Sequence, residues 1–304
     1  MPLASPREGG RLVFGVIGEP ATFDPNGRLA SDLTHALRAP LGSFEIAGRT
    51  PGLEVVYRRD PEARRQALLE TLIVRFVQTL DLAIELLAEG RLDAAALPAT
   101  VNLTDRLAAR GLEGAAELGR ELVYLDLRGS PFDADTRRSL LAHADVDGLG
   151  TAFVRELGRP VRTLHPDDGG GSSRGPFGRS AGDLADVAGE TITLGAPVGD
   201  ELLALLQRAL HDDWERAGLE VDLVTIDART FYGAWAIDPQ VDVALRRSRS
   251  SELPSDRRAA REMSFAPLFQ MAAVVAWREG VHRVSPNAGD GGPLVGAERW
   301  WIDG

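Results

Sequence analysis

Arginine side chains are concentrated in one short segment near the end of a predicted strand. Residues 246–252 read RRSRSSE and contain Arg247 and Arg249. A guanidinium group donates two parallel hydrogen bonds to a carboxylate or a phosphate, so these two side chains would suit an anionic or short zwitterionic solute. The same residues also fit a solvated basic loop. The sequence leaves both interpretations open.

A second segment spells the pattern of a hydrolase nucleophile. Residues 178–182 read GRSAG, with Ser180 in the nucleophile position. That motif needs a strand before the serine and a helix directly after it, because strain at the turn exposes the hydroxyl group. Glycine, serine and proline precede Ser180 here, and no strand is predicted. We therefore expect a protein that is not an enzyme.

Metal and cofactor chemistry has little support in the sequence. The five histidines are scattered, without the close spacing of metal ligands, and cysteine is absent. All 34 basic residues are arginine, which excludes a Walker lysine and a Schiff-base lysine. We expect no metal site and no cofactor. The histidines are His35, His143, His165, His211 and His282.

The charge of the chain limits its partners. The net charge of the 304 residues is −11 and the pI is about 5.0. Nucleic acids and anionic membrane surfaces favour a basic face, so neither is an expected partner. No stretch approaches the ~18 apolar residues of a membrane span, and residues 1–10 lack the features of a signal peptide. We expect a soluble chain that carries no export signal.

The clearest structural pattern lies at residues 191–227. Residues 191–194 alternate polar and apolar side chains as a strand does, and apolar residues recur every three or four positions over 202–217, as on one face of a helix. Gly218 ends this helix, and residues 221–226 form a return strand. A crossover of this length favours a parallel pair of strands with a right-handed connection.

Strands and helices alternate along the rest of the chain. Strands are predicted at residues 11–18, 71–77, 92–97, 122–127, 241–245, 268–276 and 299–302, a hairpin at 42–56, and helices at 31–38, 80–88, 134–142, 145–157 and 256–263. The glycine and serine content of residues 165–182 predicts a surface loop. The chain is therefore of the α/β class.

Several of these segments resemble one family, in chain order. Residues 11–25, RLVFGVIGEPATFDP, resemble the opening strand and turn of the extracellular solute-binding proteins of family 5, the oligopeptide, dipeptide and nickel receptors of ABC importers. Residues 83–97 resemble its helix and short strand, and residues 124–149 its hinge strand, Pro-Phe-Asp turn and following helix. Residues 241–245 and 266–281 resemble its late strand and return hinge.

The resemblance implies a two-lobed periplasmic-binding-protein-like fold of type II, with mixed sheets and hinge crossover strands. The first lobe would comprise residues 1–127 and 266–304, and the second residues 128–265. Between Leu41 and Gly42 the family carries a long segment that forms part of the ligand chamber, and this chain lacks it. The chain thus resembles a shortened form of the family.

The resemblance also assigns a role to residues 246–252. In the family this segment usually carries a tryptophan and an aspartate that anchors the amino terminus of a peptide. Neither is present here, and Glu252 is the candidate replacement for the amine anchor. Arg247 and Arg249 would then hold an acidic group of the same solute.

Two further pairs of residues would lie at the cleft of such a receptor. The turn that carries Glu19 and Thr22 follows the first strand and would face the solute, or it is an ordinary turn. Asp126 and Arg128 replace the Phe-Asn pair usual on the hinge strand. They would either face the solute or pair with each other. Residues 196–200, at the start of the helix after the first strand of the second lobe, would also face the cleft.

The function that the resemblance implies is the capture of a peptide-like or small zwitterionic or anionic solute for the permease of an ABC importer. Such a receptor acts outside the cytoplasm, as a monomer. The alternative is a degenerate solute-binding-like module with a sensory or interaction role and no part in transport. The missing segment and the absent export signal favour this alternative.

Overall fold

The chain divides into two units, each with residues from its own set of strands and helices. The computed structural model describes residues 8–17, 42–166, 176–177, 184–233, 241–287 and 292–303. Unit 1 consists of Met1–Glu117 and Ala273–Gly304, and unit 2 of Leu118–Ala272. The chain passes from one unit to the other within two long strands, over Glu113–Asp126 and Phe265–Trp277. The boundaries expected from the sequence, 127/128 and 265/266, lie at the unit 2 ends of these same strands.

Unit 1 is built on a mixed sheet. Its elements are β1 (Arg11–Ile17), β2 (Phe44–Thr50), β3 (Glu54–Arg59), β4 (Thr71–Val77), α1 (Leu80–Ala88), β5 (Ala94–Leu97), α2 (Leu103–Ala108), the first part of β6 (Glu113–Asp126), the end of β11 (Phe265–Trp277), β12 (Val281–His282) and β13 (Trp301–Ile302). The strands follow the order β2-β3-β4-β1-β5-β11, with β1 parallel to both β4 and β5 and with antiparallel pairing of β2 with β3 and of β3 with β4.

The core of unit 1 joins residues from both ends of the chain. Phe14 of β1 and Trp300, near the carboxyl end, are fully buried and stack with their ring centroids 5.2 Å apart. Tyr57 and Leu72 are also fully buried in this cluster. Each large apolar side chain contributes about 1.5–3 kcal/mol when it is buried, so Trp300 is one of the residues that hold the carboxyl-terminal segment to the sheet.

Gly15, in the middle of β1, is a site where even one methyl group does not fit. A Cβ atom there would lie 2.7 Å from Leu92 Cδ1 and 3.1 Å from Ala95 Cβ. We expect Gly15→Ala to lower the free energy of unfolding of unit 1 by about 1–3 kcal/mol, because it overpacks the core. Urea denaturation measures this loss. Gly48→Ala in β2 is the matched control, since its nearest neighbour would be Val56 Cβ at 3.9 Å, and a loss as large there would contradict the explanation.

The strands of unit 2 belong to the same hydrogen-bonded sheet, and this part of it is also mixed. The strand order is β7-β11-β6-β10-β8-β9, in which β8 is parallel to both β9 and β10, and β10 is antiparallel to β6. The elements are α3 (Ala134–His143), α4 (Val146–Leu149), β7 (Gly158–Pro160), β8 (Thr191–Pro197), α5 (Glu201–Arg216), β9 (Glu220–Ile226), α6 (Ala228–Gly233), β10 (Val243–Arg249), α7 (Asp256–Glu262), and the remaining parts of β6 and β11.

Helix α5 has a capping residue at its start, a glycine after its end, and a buried glutamine that joins it to the sheet of unit 2. Asp200 caps its start by accepting a hydrogen bond from the backbone N–H of Leu203, 3.0 Å away, and Gly218 follows its end at a φ of +98°. Gln207, buried on the sheet side, donates to the carbonyl oxygens of Leu194 and Val224. The strand, helix and parallel return strand predicted at residues 191–227 are therefore confirmed.

One difference from the predicted elements concerns β10. The sequence predicted a strand at residues 241–245 followed by a polar segment, but the strand covers Val243–Arg249. Its last residues pair with β6, where Arg246 lies opposite Tyr124 and Arg249 opposite Glu121. Antiparallel pairing satisfies the backbone of the arginine-rich segment, so this segment is a strand rather than a solvated loop.

Some of the other predicted elements agree with the structure, one differs in length, and two lie wholly or mostly outside the described residues. The strand at residues 71–77 and the helix at residues 80–88 are confirmed. The strand predicted at residues 122–127 is longer, and begins at Glu113. The helix predicted at residues 31–38 and most of the loop at 165–182 lie outside the described residues. Across the part of the chain that is described, no helix has both the length and the apolar character that crossing a membrane requires.

Candidate functional site

The carboxyl ends of three parallel strands meet at one edge of unit 2. Strands β9, β8 and β10 run in the same direction, so the turn after β8 lies beside the last residues of β10. Ligands of open α/β sheets bind at such carboxyl edges. Asp200 stands at the end of the turn and Arg247 in the last part of β10. This edge is the candidate site.

Arg247 is the centre of a cluster of charged groups at this edge. Its Nε lies 2.8 Å from Asp200 Oδ2, and its Nη2 donates to Asp200 Oδ1 at 3.2 Å. Its Nη1 lies 3.7 Å from Oε2 of Glu121, which belongs to β6. Burial alone would lower the pKa of Arg247, but the charges of Asp200 and Glu121 raise it above its ordinary value. We call Arg247, Asp200, Glu121 and Tyr232 the Arg247 cluster.

Tyr232 of α6 supplies the neutral member of the Arg247 cluster. Burial raises the pKa of its phenol group, and the charge of Asp200 raises it further, while the charge of Arg247 acts in the opposite direction. The ring of Tyr232 packs edge-on against that of Phe231, with their centroids 5.4 Å apart. The cluster therefore combines a guanidinium, two carboxylates and a protonated phenol.

Asp126, at the end of β6, is the centre of a second cluster. Arg128 donates to both of its carboxylate oxygens, from Nε at 2.9 Å and from Nη2 at 2.6 Å, and Arg246 Nε lies 3.3 Å from Oδ2. The hydrogen bond to Asp126 is the main cause that raises the pKa of Arg128. The two guanidinium groups also lie over aromatic rings, Arg128 over Phe265 at 4.8 Å and Arg246 over Phe231 at 4.4 Å.

Asp126 and Arg128 thus pair with each other, which is one of the two roles that the sequence left open. The carboxylate of Asp126 is 4% exposed, whereas 28% of the Arg128 side chain remains exposed. A carboxylate so deeply buried needs its cations, because desolvation of an unpaired charge is costly. Arg246 is a further partner of Asp126 that sequence reasoning did not single out.

Glu252 follows the end of β10 and accepts a hydrogen bond from its own segment. Ser248 Oγ donates to Glu252 Oε2 at 2.8 Å, and Ser248 also shares a side-chain hydrogen bond with Tyr124 of β6. Burial raises the pKa of Tyr124 to about 12, with a further contribution from the charge of Asp126. The structure therefore joins Glu252 to β6 through Ser248.

The predicted site residues are distributed over these clusters. Arg247 lies in the Arg247 cluster, Arg249 stands opposite Glu121 in the register of β10 and β6, and Glu252 is bound to Ser248. Glu19 and Thr22 lie outside the described residues, as does Ser180. Among the described residues no group of three or more histidine, cysteine or acidic side chains is arranged to hold a metal ion.

Sequence reasoning did not identify Glu121 or Tyr232 as site residues. Glu121 stands one position before the strand that was predicted at residues 122–127, and it becomes relevant only because β6 begins earlier and pairs with β10. Tyr232 belongs to the short helix α6, which no pattern indicated. Alternation along a longer β6 could have placed Glu121 within a strand, but the pairing of that strand with β10 leaves little trace in the sequence.

The three tyrosines are expected to make the stability of the protein depend on pH in the alkaline range, and their ionisation can be followed by absorbance. The chain has three tyrosines, Tyr57, Tyr124 and Tyr232, and neither lysine nor cysteine. Burial raises the pKa of all three phenols above the ordinary value of 10.0. The folded protein therefore holds more protons than the unfolded chain above pH 10. The contribution of the three tyrosines to the free energy of unfolding is fully present below pH 10 and falls as the pH rises through their raised pKa values.

We expect the loss of stability between pH 10 and pH 12 to reach about 1.4 kcal/mol per pH unit for each tyrosine that stays protonated in the fold. Urea denaturation at a series of pH values measures this slope, and absorbance at the tyrosinate wavelength shows whether ionisation accompanies unfolding. Tyr124→Phe should reduce the slope. Tyrosinate that forms at pH 10 in the folded protein would contradict the prediction.

The fold has many solved counterparts, although no protein-family model and no curated protein sequence matches the chain. A periplasmic EDTA-binding protein superposes with a TM-score of 0.68 at 14% identity, over 86% of this chain and 64% of the other. The oligopeptide-binding protein of Bacillus subtilis, solved with a nonapeptide, gives 0.63 at 13% identity, over 86% and 66% of the two chains. A dipeptide-binding protein of Pseudoalteromonas, solved with Met-Leu, gives 0.65 at 13% identity, over 86% and 64%.

These comparisons establish the fold. The chain spans about two thirds of the length of these binding proteins, which agrees with a shortened form. The neighbours are binding proteins rather than enzymes. A large mixed sheet, with the chain passing between its two units in two long strands, agrees with the periplasmic-binding-protein-like fold expected from the sequence. The resemblance to the solute-binding proteins of family 5 is thus confirmed at the level of the fold.

Proposed function

We propose that this chain is a solute-binding receptor that acts outside the cytoplasm and delivers a peptide-like or small zwitterionic or anionic solute to the permease of an ABC importer. The observation that supports this function most directly is the buried guanidinium of Arg247 at the carboxyl edge of unit 2. Its fold is also that of proteins solved with a nonapeptide and with Met-Leu. The receptor acts as a monomer, without nucleic acid and without chemistry on the solute.

In this proposal the solute contacts the carboxyl edge of unit 2. Arg247 and Arg249 bind an acidic group of the solute, and Glu252 binds its amine. Asp126 fixes the end of β6, and Arg128 offers its exposed part to the solute. Glu19 and Thr22 are proposed as further solute contacts on the ground of the family resemblance alone.

Native mass spectrometry tests the receptor function most directly. The purified protein is measured before and after unfolding, so that a solute retained from expression appears as a mass difference. We expect a small molecule of peptide-like mass, and a rise in melting temperature with at least one member of a series from di- to pentapeptides. A ligand-free spectrum together with no thermal shift across that series would contradict the proposal.

Arg249→Glu tests the role of the arginines. We expect the affinity for a peptide carboxylate to fall about tenfold or more, because an attraction becomes a repulsion at the carboxyl edge. Isothermal titration calorimetry with a peptide found in the thermal series measures the change. Arg257→Glu is the matched control, since it makes the same charge change at an exposed position of α7. Equal affinities of Arg249→Glu and of the unmodified protein for the peptide would show that Arg249 does not bind the solute.

The alternative function is that of a sensory or interaction module, which takes no part in transport. The absence of the long segment that the family carries between Leu41 and Gly42 favours it. A protein partner other than a permease, captured by a protein that binds no peptide, would support this second function. A copurifying solute would favour the receptor.

A further inference from the structure

Strand β9 forms an open edge of the sheet. Its seven residues pair with β8 in an unbroken parallel register, and among the described residues no strand pairs with its other side. The unpaired N–H and C=O groups of an edge strand can pair with a further strand, and proteins commonly prevent this with a proline or a bulge. Strand β9 has neither.

The hydrogen bonds of β9 show which of its backbone groups face outward. The N–H of Glu220 and the carbonyl oxygen of Ile226 both bond on the β8 side. Alternate residues of a strand direct their backbone groups to the same side, so those of Val221, Leu223 and Thr225 point away from β8. These three residues form the open edge of β9.

One of the three outward N–H groups already has a partner. The N–H of Val221 donates to Oε1 of Glu215, at the end of α5, over 3.1 Å. Within the described part of the chain, the outward groups of Leu223 and Thr225 have no partner. Apolar surface lies beside them, since Leu223 is 41% exposed and Val198, which bonds to the end of β9, is 59% exposed.

The elements around this edge are strongly acidic. Residues 191–227 contain eight acidic residues and two arginines, which gives them more than half of the net charge of −11. Asp200 pairs with Arg247, and Asp213 pairs with Arg216, so these two carboxylates are compensated. The excess of negative charge attracts a cationic partner.

The charges on β9 itself disfavour pairing with a second copy of this chain. Glu220 and Asp222 are exposed, and β9 carries no basic residue. Glu220 accepts a hydrogen bond from the hydroxyl group of Thr191 at 3.1 Å, and Asp222 has no ion-pair partner among the described residues. Two β9 strands side by side would bring these carboxylates of both copies into one ladder, where like charges are destabilising.

We propose that the open edge of β9 binds an extended, basic segment of a partner protein, which adds a strand to the sheet. The backbone of the segment pairs with Leu223 and Thr225. Because side chains alternate along a strand, Glu220 and Asp222 lie on one face of β9 and Leu223 on the other. A segment that alternates basic and apolar residues therefore matches both faces. This inference goes beyond the proposed receptor function and does not depend on it.

Two peptides blocked at both ends test the preference for basic residues, namely acetyl-Arg-Val-Arg-Val-Arg-amide and acetyl-Glu-Val-Glu-Val-Glu-amide. Blocking removes the terminal ammonium and carboxylate groups that the proposed solute site would bind. Isothermal titration calorimetry on the full chain, at physiological salt, measures both affinities. We expect the basic peptide to bind about tenfold more tightly or better, because its charges complement those of β9.

Thr225→Pro tests the pairing of the backbone. Proline removes an N–H group that points away from β8, so no bond to β8 is lost. We expect the affinity for the basic peptide to fall about fivefold or more. Thr225→Val is the matched control, because it removes the hydroxyl group but keeps the N–H, and its affinity should stay within about twofold of that of the unmodified protein.

Asp222→Arg tests the charge of the edge. We expect it to weaken binding of the basic peptide about tenfold or more, because an attraction becomes a repulsion. Asp81→Arg makes the same change of net charge at an 86% exposed position of α1 and should leave the affinity within about twofold. Thermal unfolding shows that each variant is folded.

Hydrogen exchange of the unmodified protein locates the peptide without any variant. We expect the amides of Leu223 and Thr225 to exchange more slowly when the basic peptide is bound. Equal affinities for the two peptides, equal affinities of Thr225→Pro and Thr225→Val, or slowed exchange at other amides alone would each overturn the proposal. A dimer in light scattering that Thr225→Pro dissociates would also overturn it, since a second copy would then occupy the edge.

Discussion

Trp214→Ala is expected to lower the free energy of unfolding of unit 2 by about 3–5 kcal/mol. Trp214 is fully buried on α5, and its indole N–H donates to the carbonyl oxygen of Leu140, at 2.9 Å on α3. Alanine would leave a cavity between the two helices and would also leave that buried carbonyl without its donor. The substitution therefore removes both the packing and the hydrogen bond that join α3 to α5.

Urea denaturation followed by far-ultraviolet circular dichroism measures the loss, and hydrogen exchange of the α5 amides assigns it to unit 2. Trp214→Phe is the matched variant, because it keeps most of the ring but loses the N–H group. We expect it to cost about 1–3 kcal/mol. A loss below about 1 kcal/mol for Trp214→Ala would show that α5 is not anchored through this residue.

Asp126→Ala is expected to cost about 3–5 kcal/mol in unit 2 through a different mechanism. It would leave two guanidinium groups, those of Arg128 and Arg246, without the carboxylate that now lies between them. Arg246 is 11% exposed, so water cannot replace the lost partner. The cost arises from uncompensated buried charge rather than from lost packing.

The matched control for Asp126→Ala is Asp135→Ala, which removes a carboxylate that is 90% exposed and pairs with Arg138 on α3. Exposed ion pairs of this kind contribute about 1 kcal/mol or less. Both variants are measured by urea denaturation at two salt concentrations. Equal losses for the two would contradict the argument from burial. A loss for Asp126→Ala that disappears in high salt would contradict it as well, since salt screens buried pairs only weakly.

Elements with a strong local signal could be predicted from the sequence. The hairpin of β2 and β3 and the helix α1 with Gly90 after it are fixed by alternation, turn residues and a left-handed glycine. Helix α5 also has its cap and its closing glycine close to it in the sequence. Local preferences decide such elements because they act within a few residues of the chain.

Elements that depend on pairing with a distant strand were predicted less well. Residues 246–249 carry no strand pattern of their own, since three of these four residues are arginine. They form a strand because β6 lies beside them and accepts their backbone hydrogen bonds. Sheet pairing between residues more than one hundred positions apart leaves little trace in either segment alone.

The sequence by itself determined the α/β class, the fold and the types of residue that can bind an ionic solute. It placed Arg247 and Arg249 in one segment and excluded lysine and cysteine chemistry. The tertiary structure alone decided which charges meet, because ion pairs such as Arg247 with Asp200 and Glu121 join three elements of unit 2. The Coulomb energy of two charges depends on the distance between them and on their burial, and neither quantity can be derived from the number of residues that separates them along the chain.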